Sequence, residues 1–166
     1  MRAPCARILL ASHIASSVGW LGALLAFTVL DVATATSRDV ATLVAAYLAM
    51  DLVARWAIVP LAALALASGV AVALTTRWGL LRHYWVLLSL VLTAFAFAVL
   101  LLQLPVVARN AALAREAAAS GSGLAAPGNL LLHSVGGCLL LGFVLVLNVV
   151  KPRGLTRRGW RLRHEA

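Results

Sequence analysis

The chain has 166 residues, of which 63% are apolar and only 11% are charged, and its formal net charge is +9. Soluble domains are about half apolar and about a quarter charged, so a chain this small has too little interior to hide its apolar surface from water. Most of the basic residues flank apolar segments, which argues against nucleic acid as a partner and predicts the lipid bilayer as the solvent.

Four apolar segments are long enough to cross about 30 Å of hydrocarbon, which takes about 20 helical residues. They cover approximately residues 8–30, 53–76, 84–107 and 129–150. Barrel strands alternate apolar and polar residues, whereas these segments are apolar on every side. The predicted fold class is therefore an all-α, integral membrane four-helix bundle. No convincing cleavage site follows the first segment, so we interpret it as a retained span.

The second helix is expected to begin before its apolar segment, near Val40, because residues 41–50 favour helix. Pro60 is expected to kink that helix, since proline removes a backbone donor. The links at residues 31–39, 77–83 and 108–128 are short enough to favour antiparallel neighbours. The bundle is therefore predicted to run up-down-up-down, with the first and third spans on one diagonal and the second and fourth on the other.

Lysine and arginine are distributed unevenly between the two ends of this predicted bundle. One end, which holds both termini and the 77–83 link, carries ten of them, whereas the other carries Arg38, Arg109 and Arg115. The positive-inside rule therefore predicts that both termini lie in the cytoplasm and that the protein is a multi-pass protein of the bacterial inner membrane. Trp78, Tyr84 and Trp85 flank the basic end, as interfacial aromatic residues do.

Residues 151–166 form a basic cytoplasmic tail, for which anionic lipid is the predicted partner and a membrane protein is the alternative. A homo-oligomer is also compatible with four spans. Cys5 and Cys138 lie before the first span and inside the last, so we expect two free thiols.

Ionisable residues in or near lipid are costly and form two predicted groups. The inner group is His13 with His83, on the first and third spans. The outer group is Asp51, Arg55 and His133, with Asp31 as a further candidate; Asp51 and Arg55 are spaced i, i+4 and can pair on one helix face.

Three functions remain open at this point. The most specific hypothesis is a membrane redox or other cofactor-binding protein that uses His13 and His83 as axial ligands of haem b, because facing imidazoles can clamp an iron. In the second, the polar groups line a path for a metal or small solute, although dedicated metal-ligand spacings are absent. In the third, they are structural, and the bundle is a non-catalytic scaffold or accessory subunit. The sequence lacks the phosphate loop, nucleotide fingerprint and nucleophile elbow of soluble enzymes, and it leaves open whether the protein is an enzyme.

Four phrases carry a resemblance that extends over nearly the whole chain. They are residues 13–22 (HIASSVGWLG), 46–51 (AYLAMD), 78–86 (WGLLRHYWV) and 151–157 (KPRGLTR). The chain resembles a group of predicted integral membrane proteins of unknown function from actinobacteria, which implies four spans and supplies no activity. It is also faintly similar to the copper-resistance D type of membrane domain in having histidines at span ends, and no copper ligand is carried over from that similarity.

Overall fold

The structure, a computed structural model, describes residues 3–76, 79–121, 124, 127–152 and 154–164. Over these residues it is helical and contains no β-strand, so the predicted all-α fold is confirmed. A π-helical turn at Ala54–Ile58 joins the second and third helices into one continuous span. The α-helices are α1 (Ala3–Thr36), α2 (Val40–Val53), α3 (Val59–Thr75), α4 (Tyr84–Ser120), α5 (Leu131–Val150) and α6 (Arg157–His164).

Four helical segments are long and apolar enough to cross a membrane, which makes the chain a multi-pass membrane protein. The second of them begins at Val40, as predicted, and its 36 residues correspond to about 54 Å of helix, well beyond the ~30 Å of hydrocarbon. The third continues past its predicted span to Ser120, so residues 108–120 are helix and not part of a loop. The segment is rich in alanine, the best helix former, and the helix ends where Gly121 adopts a left-handed φ of 65°.

The four spans form a square, which confirms the predicted up-down-up-down order. Helix α1 packs against the α2–α3 span and against α5, and α4 packs against the same two neighbours. Within the described ranges the diagonal pairs, α1 with α4 and α2–α3 with α5, make no close backbone approach. Antiparallel neighbours joined by short links account for this arrangement.

Charge divides the two ends of the bundle. Toward one end, which we call the basic end, His13 in the first third of α1 contacts Ala65 in the second half of the α2–α3 span, and Thr156 after α5 contacts Arg82 before α4. The opposite, acidic end holds every acidic residue in the part of the chain that the structure describes. These are Asp31, Asp39, Asp51 and Glu116. Trp78, one of the predicted interfacial aromatics, lies outside the described residues.

Helices α2 and α4 pack closely at the acidic end. Met50 on α2 is fully buried against α4, where Ala111 and Ala114 are also fully buried, because small side chains allow two helices to approach closely. Asn110 on α4 fixes the chain that leads into α5: its amide Nδ2 donates to the carbonyl oxygen of Gly128 at 2.8 Å, and the Gly128 N–H donates to its Oδ1 at 3.0 Å. These contacts hold α2, α4 and the segment before α5 together at the acidic end.

Pro60, where a kink is predicted, comes directly after the π turn and Val59. The N–H of Val59 donates to the carbonyl oxygen of Ala54, five residues back, instead of four. Proline has no N–H, and its ring clashes with the carbonyl group four residues back, so a normal α-helical turn cannot be kept there. Such single π turns are frequent at functional sites, and this one forms part of the wall of a cavity.

Candidate functional site

A cavity of about 390 Å³ lies between the four spans. Its wall is mostly apolar, and every span contributes to it, so it exists only in the assembled bundle. The lining residues are Trp20, Leu24 and Phe27 from α1; Ala54 and Ile58 from the π turn; Phe95, Ala96, Val99, Leu100, Gln103, Leu104 and Val107 from α4; and Leu130, Leu132, His133, Ser134, Gly136, Gly137, Leu140 and Leu141 from the start of α5 and the residue before it.

The cavity opens at the side of the bundle, between α4 and α5. Phe95 on α4 and Leu132 and Gly136 on α5 line it and are themselves exposed on the molecular surface. A Cβ atom built on Gly136 would meet no other atom within 4 Å, so the mouth is unobstructed at that point. In a membrane, an opening on the flank of a span faces lipid chains and not water, so molecules dissolved in the bilayer have direct access to it.

Polar side chains in the wall are few and belong to α4 and to the first turns of α5. Gln103 offers an amide, His133 an imidazole and Ser134 a hydroxyl. His133 is exposed, whereas Ser134 is buried. An apolar cavity with a few convergent polar groups is the usual form of a small-molecule site.

Behind Ser134 lies a buried carboxylate. The Ser134 hydroxyl donates to Asp31 Oδ2 at 2.7 Å and thereby links α5 to α1. Asp31 is only 3% exposed, and within the described ranges Ser134 is the one hydrogen-bonding partner of its carboxylate. No lysine or arginine in those ranges lies within salt-bridge distance of it. A buried carboxylate without a cation is costly, so Asp31 needs an explanation beyond packing.

Asp51, the other buried carboxylate, is fully paired. Arg55 Nε donates to its Oδ1 at 2.7 Å, which is the i, i+4 pair that the sequence spacing predicts. Arg115 Nη2, on α4, donates to its Oδ2 at 3.3 Å. The carboxylate therefore ties α2 to α4, and both guanidinium groups remain about half exposed, at 49% and 58% of their side chains.

The predicted outer cluster is divided between two helix interfaces. Asp51 and Arg55 lie on the α2–π span beside α4, whereas His133 lies on α5, which does not pack against that span. His133 instead shares the cavity wall with Ser134, the partner of Asp31. His133 therefore shares the cavity with the serine that is bonded to Asp31, whereas Asp51 lies in a separate contact between α2 and α4.

His13 of the predicted inner group lies between α1 and α3. Its Nδ1 is 3.1 Å from the Ala65 carbonyl oxygen and 3.2 Å from the Ser68 hydroxyl. A carbonyl oxygen only accepts, so Nδ1 carries a proton in this contact, and in the neutral form of the ring Nε2 would hold the lone pair. A Cβ atom on Gly69 would lie 2.9 Å from the ring, which explains why glycine faces the imidazole.

His83 directly precedes α4, the helix diagonally opposite α1. Its backbone forms a β-bridge with Leu155, and its ring is tilted by 47° to the ring of Trp85, with 6.4 Å between the centroids. Neither His13 nor His83 lines the cavity described above. Among the described residues no group of three or more histidine, cysteine, aspartate or glutamate side chains is arranged to hold a metal ion. Cys5 and Cys138 are free thiols, as predicted.

The sequence did not predict a contact or site for Arg115, Gln103 or Ser134. The low hydropathy around Arg115 predicts a loop, although the alanine content of residues 111–119 indicates helix. Gln103 is the one amide side chain within the third apolar segment, and a lone polar residue in a span is itself a signal. Ser134 carries no such signal, because serine is common in membrane helices.

Comparisons with protein-family models, with curated proteins and with solved structures give no significant match.

Proposed function

We propose that this protein is an inner-membrane binding protein, with both termini in the cytoplasm, that takes up an amphipathic molecule from the bilayer into the cavity between its four spans. The ligand has an apolar body and a small, neutral, hydrogen-bonding polar end. The observation that carries the proposal is the cavity itself, which is open toward lipid and has its polar side chains gathered on α4 and the start of α5.

The charge asymmetry supports the orientation. The described acidic residues all lie at one end, while the link before α4 and the segment after α5 at the other end are rich in arginine. Short basic segments next to membrane spans are retained in the cytoplasm, so the basic end belongs on that side. The cavity's polar side chains then face the outer leaflet, because His133 lies at the start of α5, far from the basic tail.

The size of the cavity supports a small molecule. Ligand sites have volumes of about 300–1,000 Å³, and 390 Å³ lies within that range. A lipid with two acyl chains is larger than this volume, so we expect a single chain, ring or isoprenoid unit inside and the remainder in the bilayer.

The hydrogen-bonding groups set the chemistry of the polar end. Because the Ser134 hydroxyl donates its proton to Asp31, its lone pairs remain available to accept from the ligand. Gln103 both donates and accepts, and His133 supplies one donor and one acceptor when neutral. A hydroxyl or carbonyl group, such as that of a prenol or a quinone, matches this set. Asp31 acts as a positioning residue that fixes the orientation of the serine hydroxyl.

Two glycines of α5 provide a matched test. Gly136 lines the cavity and Gly142 does not, and a Cβ atom on either would meet nothing within 4 Å. Native mass spectrometry of protein purified in mild detergent should reveal a bound apolar molecule in the wild type and in Gly142→Leu. Gly136→Leu should lose it because leucine fills the mouth. Equal retention by both variants, or a wild type that carries no such molecule, would refute the proposal.

A second candidate, haem b binding by His13 and His83, has one specific observation in its favour. Metal-ligating histidines usually donate their other ring N–H to a carbonyl or carboxylate, and the contact of His13 Nδ1 with the Ala65 carbonyl oxygen leaves Nε2 free to ligate. Protein from haem-replete cells should then show a Soret band that disappears in His13→Ala and in His83→Ala. Colourless protein would exclude this function without affecting the cavity proposal.

A further inference from the structure

The segment after α5 is docked onto the bundle at the basic end. Thr156 N–H donates to the Arg82 carbonyl oxygen at 3.0 Å, and Tyr84 N–H donates to the Gly154 carbonyl oxygen at 3.4 Å. The Thr156 hydroxyl also donates to the Leu81 carbonyl oxygen. These bonds form a short antiparallel bridge between the turn before α4 and the segment before α6, and they hold the start of α6 against the end of the bundle.

Gly159 fixes the orientation of α6 in this dock. It is buried, and a Cβ atom at this position would overlap with the carbonyl oxygen of Arg82. Its N–H donates to the Thr156 hydroxyl at 3.1 Å, which connects the first turn of α6 to the bridge. Only glycine allows the helix to lie this close to the turn, so the face of α6 that carries residue 159 points toward the bundle.

The opposite face of α6 presents two arginines and a tryptophan. Arg157, Trp160 and Arg161 are spaced i, i+3 and i+4, so they share one face of the helix, and all three are exposed, Trp160 at 58%. Tyr84, at the start of the neighbouring α4, is also 58% exposed. Tyrosine and tryptophan concentrate at the level of lipid headgroups, which places this face at the membrane surface.

Within residues 3–76, 79–121, 124, 127–152 and 154–164, no salt bridge involves the guanidinium groups of this face. Every acidic residue in the described ranges lies at the opposite end of the bundle, and the salt bridges there involve Arg55 and Arg115. We infer that docked α6 is a preformed binding face for anionic phospholipid headgroups of the cytoplasmic leaflet, in which Arg157 and Arg161 bind phosphate and Trp160 enters the interface. Docking reduces the entropy lost on binding, because the helix is already ordered.

Three variants of the full chain separate the dock from the charges. Arg157→Gln with Arg161→Gln removes the proposed ligands and keeps the dock. Gly159→Ala keeps the charges and breaks the dock. Arg38→Gln with Arg109→Gln is the matched control, since it removes two positive charges from the opposite end. The probes are phosphatidylglycerol and phosphatidylcholine, titrated into detergent-purified protein and counted by native mass spectrometry, with hydrogen exchange of the Thr156 amide as the measure of docking.

The wild type and the control should both bind phosphatidylglycerol more tightly than phosphatidylcholine. In the double variant of α6, the preference for phosphatidylglycerol should fall about 30-fold, because each charge near an anionic surface contributes roughly fivefold. The Thr156 amide of that variant should stay protected. Gly159→Ala should weaken phosphatidylglycerol binding and expose that amide. Unchanged lipid preference in the α6 double variant, or full preference in a Gly159→Ala protein whose Thr156 amide is exposed, would overturn the inference.

Discussion

Two aspartates are buried at the acidic end of this bundle, and their surroundings differ. Asp51 accepts from two arginines, one on its own helix and one on α4, and both cations reach solvent. Asp31 is more deeply buried and is bonded to a single serine, whose other side faces the cavity. The same side chain therefore has a structural role at one interface and a positioning role, as we propose, at the other.

A buried charge in a membrane protein has a structural or a functional explanation according to its partners. When a buried carboxylate is paired with cations and links two helices, its structural role is enough to explain it. A carboxylate that lacks a cation and touches the wall of a cavity has a desolvation cost that packing does not offset, and function is the better explanation. The comparison leads to predictions of opposite sign for the same substitution at the two positions.

The largest effect is expected for Asp51→Asn. It removes two charge-assisted hydrogen bonds and leaves two guanidinium groups close together, so the free energy of unfolding should fall by about 1–3 kcal/mol. Reversible unfolding in mixed detergent micelles measures this quantity. An unfolding free energy equal to that of the wild type would show that the contact between α2 and α4 does not depend on this carboxylate.

Asp31→Asn should change stability less and in the other direction. The asparagine oxygen can still accept from Ser134, while the uncompensated buried charge disappears, so the same measurement should show a gain of about 1 kcal/mol. A loss as large as that of Asp51→Asn would mean that Asp31 is also a structural ion and that the contrast between the two sites is wrong.

Single substitutions of the two arginines measure how much each one contributes to the pairing of Asp51. Arg55→Gln and Arg115→Gln should each cost about 0.2–1 kcal/mol, because both side chains are half exposed and water compensates for much of the lost pairing. A double-mutant cycle with Asp51→Asn gives the coupling energy of each pair. We expect the stronger coupling for Arg55, whose hydrogen bond is shorter, 2.7 Å against 3.3 Å.

The smallest effect concerns Asp39, an exposed aspartate at the same end that caps α2. Hydrogen bonds from the Thr42 side chain and then from its backbone N–H lower the pKa of Asp39 below its ordinary value of 3.8. A lowered pKa means that this stabilisation is complete above 3.8 and is lost as the pH falls through the folded-state value. Asp39→Ser keeps a cap that does not titrate, so the difference in melting temperature between wild type and variant should shrink between pH 6 and pH 3.

The helical spans and the Asp51–Arg55 pair could be predicted because both follow from local periodicity. An apolar run of about 20 residues indicates a span, and a spacing of four indicates a shared helix face. Arg115 could not be assigned in the same way, since the extension of α4 to Ser120 lies outside the hydrocarbon and is stabilised by packing on α2. Hydropathy indicates which part of a helix is apolar enough to lie in lipid, and it does not indicate where the helix ends.

The cavity and the docking of α6 onto the bundle could not be predicted from the sequence, for a different reason. The cavity depends on how four helices cross, on the π turn before Pro60 and on the absence of side chains at Gly136 and Gly137. The dock consists largely of backbone hydrogen bonds, which carry no side-chain pattern. The sequence predicts a basic tail at residues 151–166, and only the burial of Gly159 shows which face of it remains available.

The positioning role of Asp31 is tested most directly by comparing the bound molecule in Asp31→Ala and Asp51→Ala, measured by native mass spectrometry on equal amounts of folded protein. We predict that Asp51→Ala retains as much of it as the wild type. Asp31→Ala removes the acceptor that orients the Ser134 hydroxyl, so it should retain about tenfold less, which corresponds to the loss of roughly 1.4 kcal/mol of binding free energy. Full occupancy in Asp31→Ala, or an equal loss in both variants, would contradict the positioning role of Asp31 and the structural role of Asp51.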